Sequence, residues 1–169
     1  MKGLNGMNVE DFIAAYKKSA NTGITITNRL QENQYIPYEE KQADCERMVH
    51  ATSWKQNGDQ ELFWINSPSR WYLFAINIIN RYTDIEFSAD GTELLKEYND
   101  LVQCGALDEI MSIIRSKDWL AREYAEYETM LNMVLNDATQ NNQSAVNFFK
   151  GLNDDVKVIV EQLLVQQNT

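Results

Sequence analysis

From Ser67 to Tyr82 the chain carries a segment that would be apolar nearly all the way round a helix, and the rest of the fold has to be built about it. The core of this segment, Trp71-Tyr72-Leu73-Phe74-Ala75-Ile76-Asn77-Ile78-Ile79, is interrupted only by Asn77. Ser67 suits the N-cap and Pro68 the first helical position, where a missing N–H leaves no bond unmade. A helix apolar on every side belongs in the interior, so this one is expected to be the central, most buried element. Leu73→Asp is expected to unfold the domain. The run is far shorter than the ~20 residues of a membrane span.

Further helical signals lie on both sides. Asn8 is placed to cap a helix with Val9, Phe12, Ile13 and Tyr16 on one face, and Asn21-Thr22-Gly23 stops it. Ile24-Thr25-Ile26-Thr27 reads as a short extended piece. Pro37 opens a second helix, with Glu39 and Glu40 where the helix dipole favours negative charge, and this helix is expected to reach about Trp54. Asn57-Gly58 is a turn signal, and its flanks, Thr52–Lys55 and Glu61–Ile65, suit a small hairpin. Asp84 to Phe87 alternates like an extended link.

Thr92 to Val102 is a helix pattern with Gly105 as its C-cap. Leu107, Ile110, Met111 and Ile114 mark another helix. Asp118 is placed to cap the longest one, in which Leu120, Tyr124, Tyr127, Leu131 and Val134 form a stripe. The polar tract Asn136 to Gln143 reads as a break and a mobile connector. Beyond it, Gly151 ends a short turn, and Asn153 caps a last helix with Val156, Ile159, Val160 and Leu163 on one face. The expected fold is all-α: a single-domain bundle of about six to seven helices over residues 1–169, with a short β-hairpin near residues 52–65. About the first seven residues read as a flexible lead-in.

With 169 residues and a hydrophobic fraction of 44%, the chain can bury roughly two-thirds of its unfolded surface. It therefore needs neither a metal nor a disulfide to fold, and no cofactor is expected. Cys45 and Cys104 lie in helical patterns and read as two buried thiols. Met1 to Gly6 lacks the apolar run of a secretory leader, which makes the cytoplasm the default location.

The net charge of −10 is unevenly spread. Residues 1–83 hold nine acids and nine bases, whereas residues 84–128 hold twelve acids against four bases. Direct nucleic-acid binding requires a basic footprint. None exists, and the middle third would repel phosphates.

Catalytic motifs are likewise absent. The one histidine, His50, shares a helical face with Glu46, but zinc needs three or four ligands and the neighbourhood offers no second pair. There is no Gly-rich phosphate loop and no Gly-x-Ser-x-Gly elbow. Asp90, Glu93, Glu97 and Asp100 recur at helical spacing and have the donors for a divalent cation, though an acidic solvated face is the commoner use. An enzyme is not expected. Two surfaces remain as interaction candidates: the aromatic segment with Trp54, Phe63, Trp64, Trp71 and Tyr72, and the acidic middle from Asp84 to Glu128, with Asp90, Glu93, Glu97 and Asp100. Trp71 is expected in the core, and one of Phe63 and Trp64 outside it, because adjacent strand residues point to opposite faces.

Four stretches carry a resemblance: Tyr35-Ile36-Pro37-Tyr38-Glu39-Glu40-Lys41, Ser67 to Phe74, Tyr82 to Glu86, and Glu128 to Asp137. Together they resemble a family of small acidic helical proteins encoded in the structural-gene regions of tailed bacteriophages. The resemblance implies a non-enzymatic role in virion assembly, as a tail assembly chaperone or a head–tail joining component. The implied partners are other phage structural proteins, and the implied location is the host cytoplasm or the assembled virion. A second reading is an acidic phage-encoded inhibitor of a host nucleic-acid-targeting defence system. The sequence leaves the oligomeric state open, a homo-oligomer included.

Overall fold

The computed structural model describes residues 6–31, 35–57 and 60–167. Among them are seven helices and a few short strands, so the chain is mostly α. It divides into two units, residues 1–131 and residues 132–169. Residues 1–5 of the expected lead-in lie outside the described residues. Met7 is in a strand.

The first unit starts with strand β1 (Met7–Asn8) and helix α1 (Val9–Lys18). The Asn8 side chain accepts from the Asp11 N–H at 2.8 Å, satisfying one of the helix's orphan donors. Val9 and Phe12 are buried. The expected extended piece at 24–27 is instead helix α2 (Thr22–Thr27). Helix α1 has already ended at Ser19, and the Asn21 side chain accepts from the Ile24 N–H at 3.2 Å and starts the next helix. Burial of Ile26 then outweighs the β preference of its Ile and Thr residues.

Helix α3 (Tyr38–Ser53) follows Pro37 as expected. Its buried face mixes Cys45, Met48 and Val49 with Lys41 and Asp44. The expected hairpin is present as strands β2 (Trp54–Asn57) and β3 (Gln60–Phe63), with Trp54 opposite Phe63 and Lys55 opposite Leu62. Gly58 and Asp59, the expected turn, lie outside the described residues.

Helix α4 (Ser67–Tyr82) is capped one residue earlier than expected, by Asn66, whose side chain accepts from the Ser69 N–H at 3.1 Å. Phe74, Ala75, Ile76, Ile78, Ile79 and Tyr82 are buried, so the second half of α4 is interior, but the helix as a whole is no more buried than α3. Two further expectations about it are corrected. Trp71 is 43% exposed, since it lies on the outward side of the first turn, and Leu73 is only half-buried.

Strand β4 (Ile85–Glu86) pairs in parallel with β1, Met7 against Ile85. On its other flank the chain at Arg29 to Gln31 bonds to Tyr82 and Asp84, through Gln31 N to Tyr82 O and Asp84 N to Arg29 O, each 2.9 Å. The link after α4 thus sews the first thirty residues to that helix. Asp90 caps helix α5 (Gly91–Gln103), accepting from the Thr92 and Glu93 N–H groups. Gly105, at φ +78°, makes the left-handed turn into helix α6 (Ala106–Ser116). There Leu107, Ile110, Met111 and Ile114 are all buried, as their spacing requires.

Helix α7 runs from Asp118 to Gln167. The expected break at Asn136 to Gln143 is therefore corrected, as is the stop at Gly151. Polar side chains cost a helix only tenths of a kcal/mol each, roughly 1 kcal/mol for glycine, and no proline follows Pro68 to interrupt it. Leu120, Tyr124, Tyr127 and Leu131 are buried in the first unit, and Val134 is half-buried. No helix among the described residues is long and apolar enough to cross a membrane.

Because Ile79 is fully buried and Leu73 is not, Ile79→Asp should cost more than about 4 kcal/mol. Leu73→Asp should cost clearly less. Urea unfolding of the two variants followed by circular dichroism checks the ranking.

Candidate interaction surface and a buried polar network

The β2–β3 hairpin is held at its base by the end of α3 and the first turn of α4. Arg70, which is buried, donates from Nε to Thr52 Oγ1 at 3.1 Å and from Nη2 to Ser53 Oγ at 3.0 Å. Two backbone bonds continue the clamp, Trp64 N to Ser53 O at 2.8 Å and Asn66 N to Thr52 O at 2.7 Å. Burial lowers the Arg70 pKa.

Above this base both faces of the ribbon carry apolar groups. The Trp54 and Phe63 rings meet edge to face, with centroids 5.1 Å apart. On the other face Lys55 Nζ lies 5.9 Å from the centre of the Trp64 ring. Trp64 is 63% exposed and Leu62 45%, with Ile65 and Trp71 beside them in sequence also exposed. Phe63 is half-buried, so of the adjacent pair Trp64 is the one in solvent, and the sequence expectation for these two residues holds.

The acidic candidates fare differently. Glu93, Glu97 and Asp100 line an open groove of about 760 Å³ between α1 and α5, together with Lys17 and Lys96. Asp90 is used as the α5 cap. Glu93 pairs with Lys96 at 2.8 Å, and Glu97 accepts from the Ser88 N–H at 2.7 Å. Among the described residues no group of three His, Cys, Asp or Glu is placed to hold a metal ion. His50 is exposed on α3, and Glu46, its helical neighbour, accepts from Gln42 at 2.8 Å. Cys45 is a buried free thiol, pushed up to about 12 by burial, and Cys104 is free and half-buried rather than buried as expected.

A set of residues that pattern reading missed joins α3, α4 and the first turns of α7. Asp44 is buried and takes a two-point contact from Arg81, Nε to Oδ2 at 2.8 Å and Nη2 to Oδ1 at 3.0 Å. The Tyr127 hydroxyl donates to Asp44 Oδ2 at 2.7 Å, and Arg47 reaches the same carboxylate from outside. One turn earlier Lys41, also buried, pairs with Glu123 at 2.9 Å and Glu126 at 2.5 Å. The Tyr82 hydroxyl donates to Glu123 at 2.8 Å.

Burial alone would destabilise the Lys41 ammonium, but the two carboxylates more than offset it and its pKa is raised. The Asp44 bond holds the Arg81 guanidinium in its charged form. Burial, then the carboxylate each one bonds, pushes the Tyr82 and Tyr127 phenols up. Tyr16 is a third such phenol: its hydrogen bond to Glu109, 2.7 Å long, pushes it up to about 12.

These acids and bases are engaged with one another, and the groove lies among other residues. The arrangement is suited to orienting three helices. The signal that could have found it is the helical spacing of Lys41 and Asp44 with Cys45 and Met48, which sets two charges on an otherwise apolar face.

The chain matches no protein-family model, and no curated protein or solved structure is detectably similar to it.

Two outcomes are expected of the network. Asp44→Ala strands Arg81 and Tyr127 and should cost about 3–5 kcal/mol in urea unfolding. The second concerns pH. Tyr82, Tyr127, Tyr16 and Cys45 hold their protons to higher pH folded than unfolded, so the folded state binds more protons in alkali. Stability is then fully present below pH about 9 and falls as pH rises through about 10 to 12. Melting temperature against pH should show this fall, made shallower by Tyr82→Phe.

Proposed function

We propose that this chain is a non-enzymatic protein-binding domain acting in virion assembly of a tailed phage, as a tail assembly chaperone or a head–tail joining component. The phage context rests on the sequence resemblance. The mode of action rests on one observation: a two-stranded ribbon with exposed Trp64, Leu62 and Trp54, held on a buried Arg70 clamp. Exposed aromatics on a rigid support lose little entropy on docking and are enriched in interface hot spots.

The inhibitor reading depends instead on free negative charge between residues 84 and 128. At least seven of the twelve acids there already have a partner within the chain. Asp84 pairs with Arg29, Asp90 caps α5, Glu93 pairs with Lys96 and Glu97 holds Ser88. Glu109 accepts from Tyr16 and Thr22, while Glu123 and Glu126 hold Lys41. That favours the aromatic ribbon over charge mimicry.

The test is titration calorimetry against purified phage head and tail proteins. Trp64→Ser should weaken the affinity about tenfold or more and leave the melting temperature unchanged, and raised salt should change it little. Equal affinity for Trp64→Ser would remove the ribbon from the proposal. Binding that instead collapses with salt would favour the inhibitor. Mass spectrometry of purified virions separates the two assembly roles: a joining component is present at stoichiometric copy number and a chaperone is absent.

A further inference from the structure

Among the described residues of the second unit, residues 132–169, the element present is the later part of α7, helical to Gln167. A helix has no core of its own, and most helical stability in proteins comes from covering an apolar face. The sequence along this helix repeats with alternating steps of three and four residues. Leu135, Asn142, Phe149, Val156 and Leu163 fall at one position of a heptad, a. Ala138, Ala145, Leu152 and Ile159 fall at the other, d. A stripe of period 3.5 drifts about 20° per heptad on a straight helix, and it stays aligned only where helices supercoil about each other.

The charges obey the same register. Asp137, Lys150, Asp154, Lys157 and Glu161 all fall at positions b, c or f, off the seam. Asp155 falls at g, where a parallel in-register partner sets Val160 against it. A chain of net charge −10 thus has a seam along which two copies meet without like-charge repulsion.

Asn142 selects the occupant. It is the one polar residue among these nine a and d positions. A parallel, in-register second copy sets Asn142 against Asn142, where each amide has a partner. An antiparallel pairing sets it against an apolar d layer, leaving a buried amide unsatisfied. A single Asn at an a position is also what restricts parallel coiled coils to two strands. We infer that residues 135–163 form a parallel two-stranded coiled coil with a second copy of this chain. The inference is independent of the hairpin's role.

Sedimentation of the full-length chain should give a dimer, and Leu152→Asp with Ile159→Asp a monomer whose first unit still melts cooperatively. Disulfide trapping serves even if that double variant misfolds. In a Cys104→Ser background, Asn142→Cys should cross-link two chains about tenfold or more faster than Gln140→Cys, which lies at the outward f position. A full-length chain that sediments as a monomer, or equal trapping from positions 142 and 140, overturns the inference.

Discussion

The first unit depends on Asp44. One buried carboxylate receives Arg81 from α4 and Tyr127 from α7, while sitting on α3, so three helices are referred to a single point. A buried ion pair seldom adds much net stability over a well-packed apolar substitute, because both charges must first leave water. Its value here is directional. Apolar contacts among α3, α4 and α7 would tolerate a slide or a rotation, whereas a two-point guanidinium contact with a third donor from Tyr127 has one satisfied geometry. The Lys41–Glu123–Tyr82 set repeats the device one helical turn away. Two such pins fix both the crossing and the rotation of the helices.

Helices whose buried faces are apolar were legible in the sequence. Spacing located α1, α6 and the start of α7; the α6 stripe is buried throughout, whereas Ile13 and Tyr16 of α1 and Val134 of α7 are half-buried. Pro37 and Pro68 each marked a helix start to within a residue. Reading was weaker where one residue type serves two purposes. Asn21-Thr22-Gly23 looks like a stop but opens α2, and Ile24 to Thr27 has the β-branched composition of an extended piece although it is helical. The polar tract in α7 looked like a loop because its residues are common in loops, yet none of them forbids a helix. Trp71 shows a third limit: an all-apolar segment does not say which of its sides faces out.

The candidate site was legible by type and only partly by use. Aromatic density singled out Trp54, Phe63 and Trp64, of which Trp54 and Phe63 share one face of the ribbon and Trp64 lies on the other. The acidic set was found by spacing, yet Asp90 and Glu97 serve backbone N–H groups and Glu93 serves Lys96. Lys41, Asp44 and Glu123 escaped notice because a charged residue on a helix ordinarily signals solvent. Their burial depends on partners about forty to eighty residues away in sequence, which no local pattern carries.

The pairing of β1 with β4 has a consequence for how the chain assembles. Met7 and Asn8 find their partners at Ile85 and Glu86, and Tyr16 and Thr22 find theirs at Glu109. Helices α1 and α2 touch each other, but these other tertiary contacts lie in residues made much later than they are. Until α6 has emerged, α1 and α2 are short segments below the length at which isolated helices hold together. Closing that long loop is a slow, entropically costly step. These two helices therefore reach their full set of tertiary contacts only once α6 is available to them.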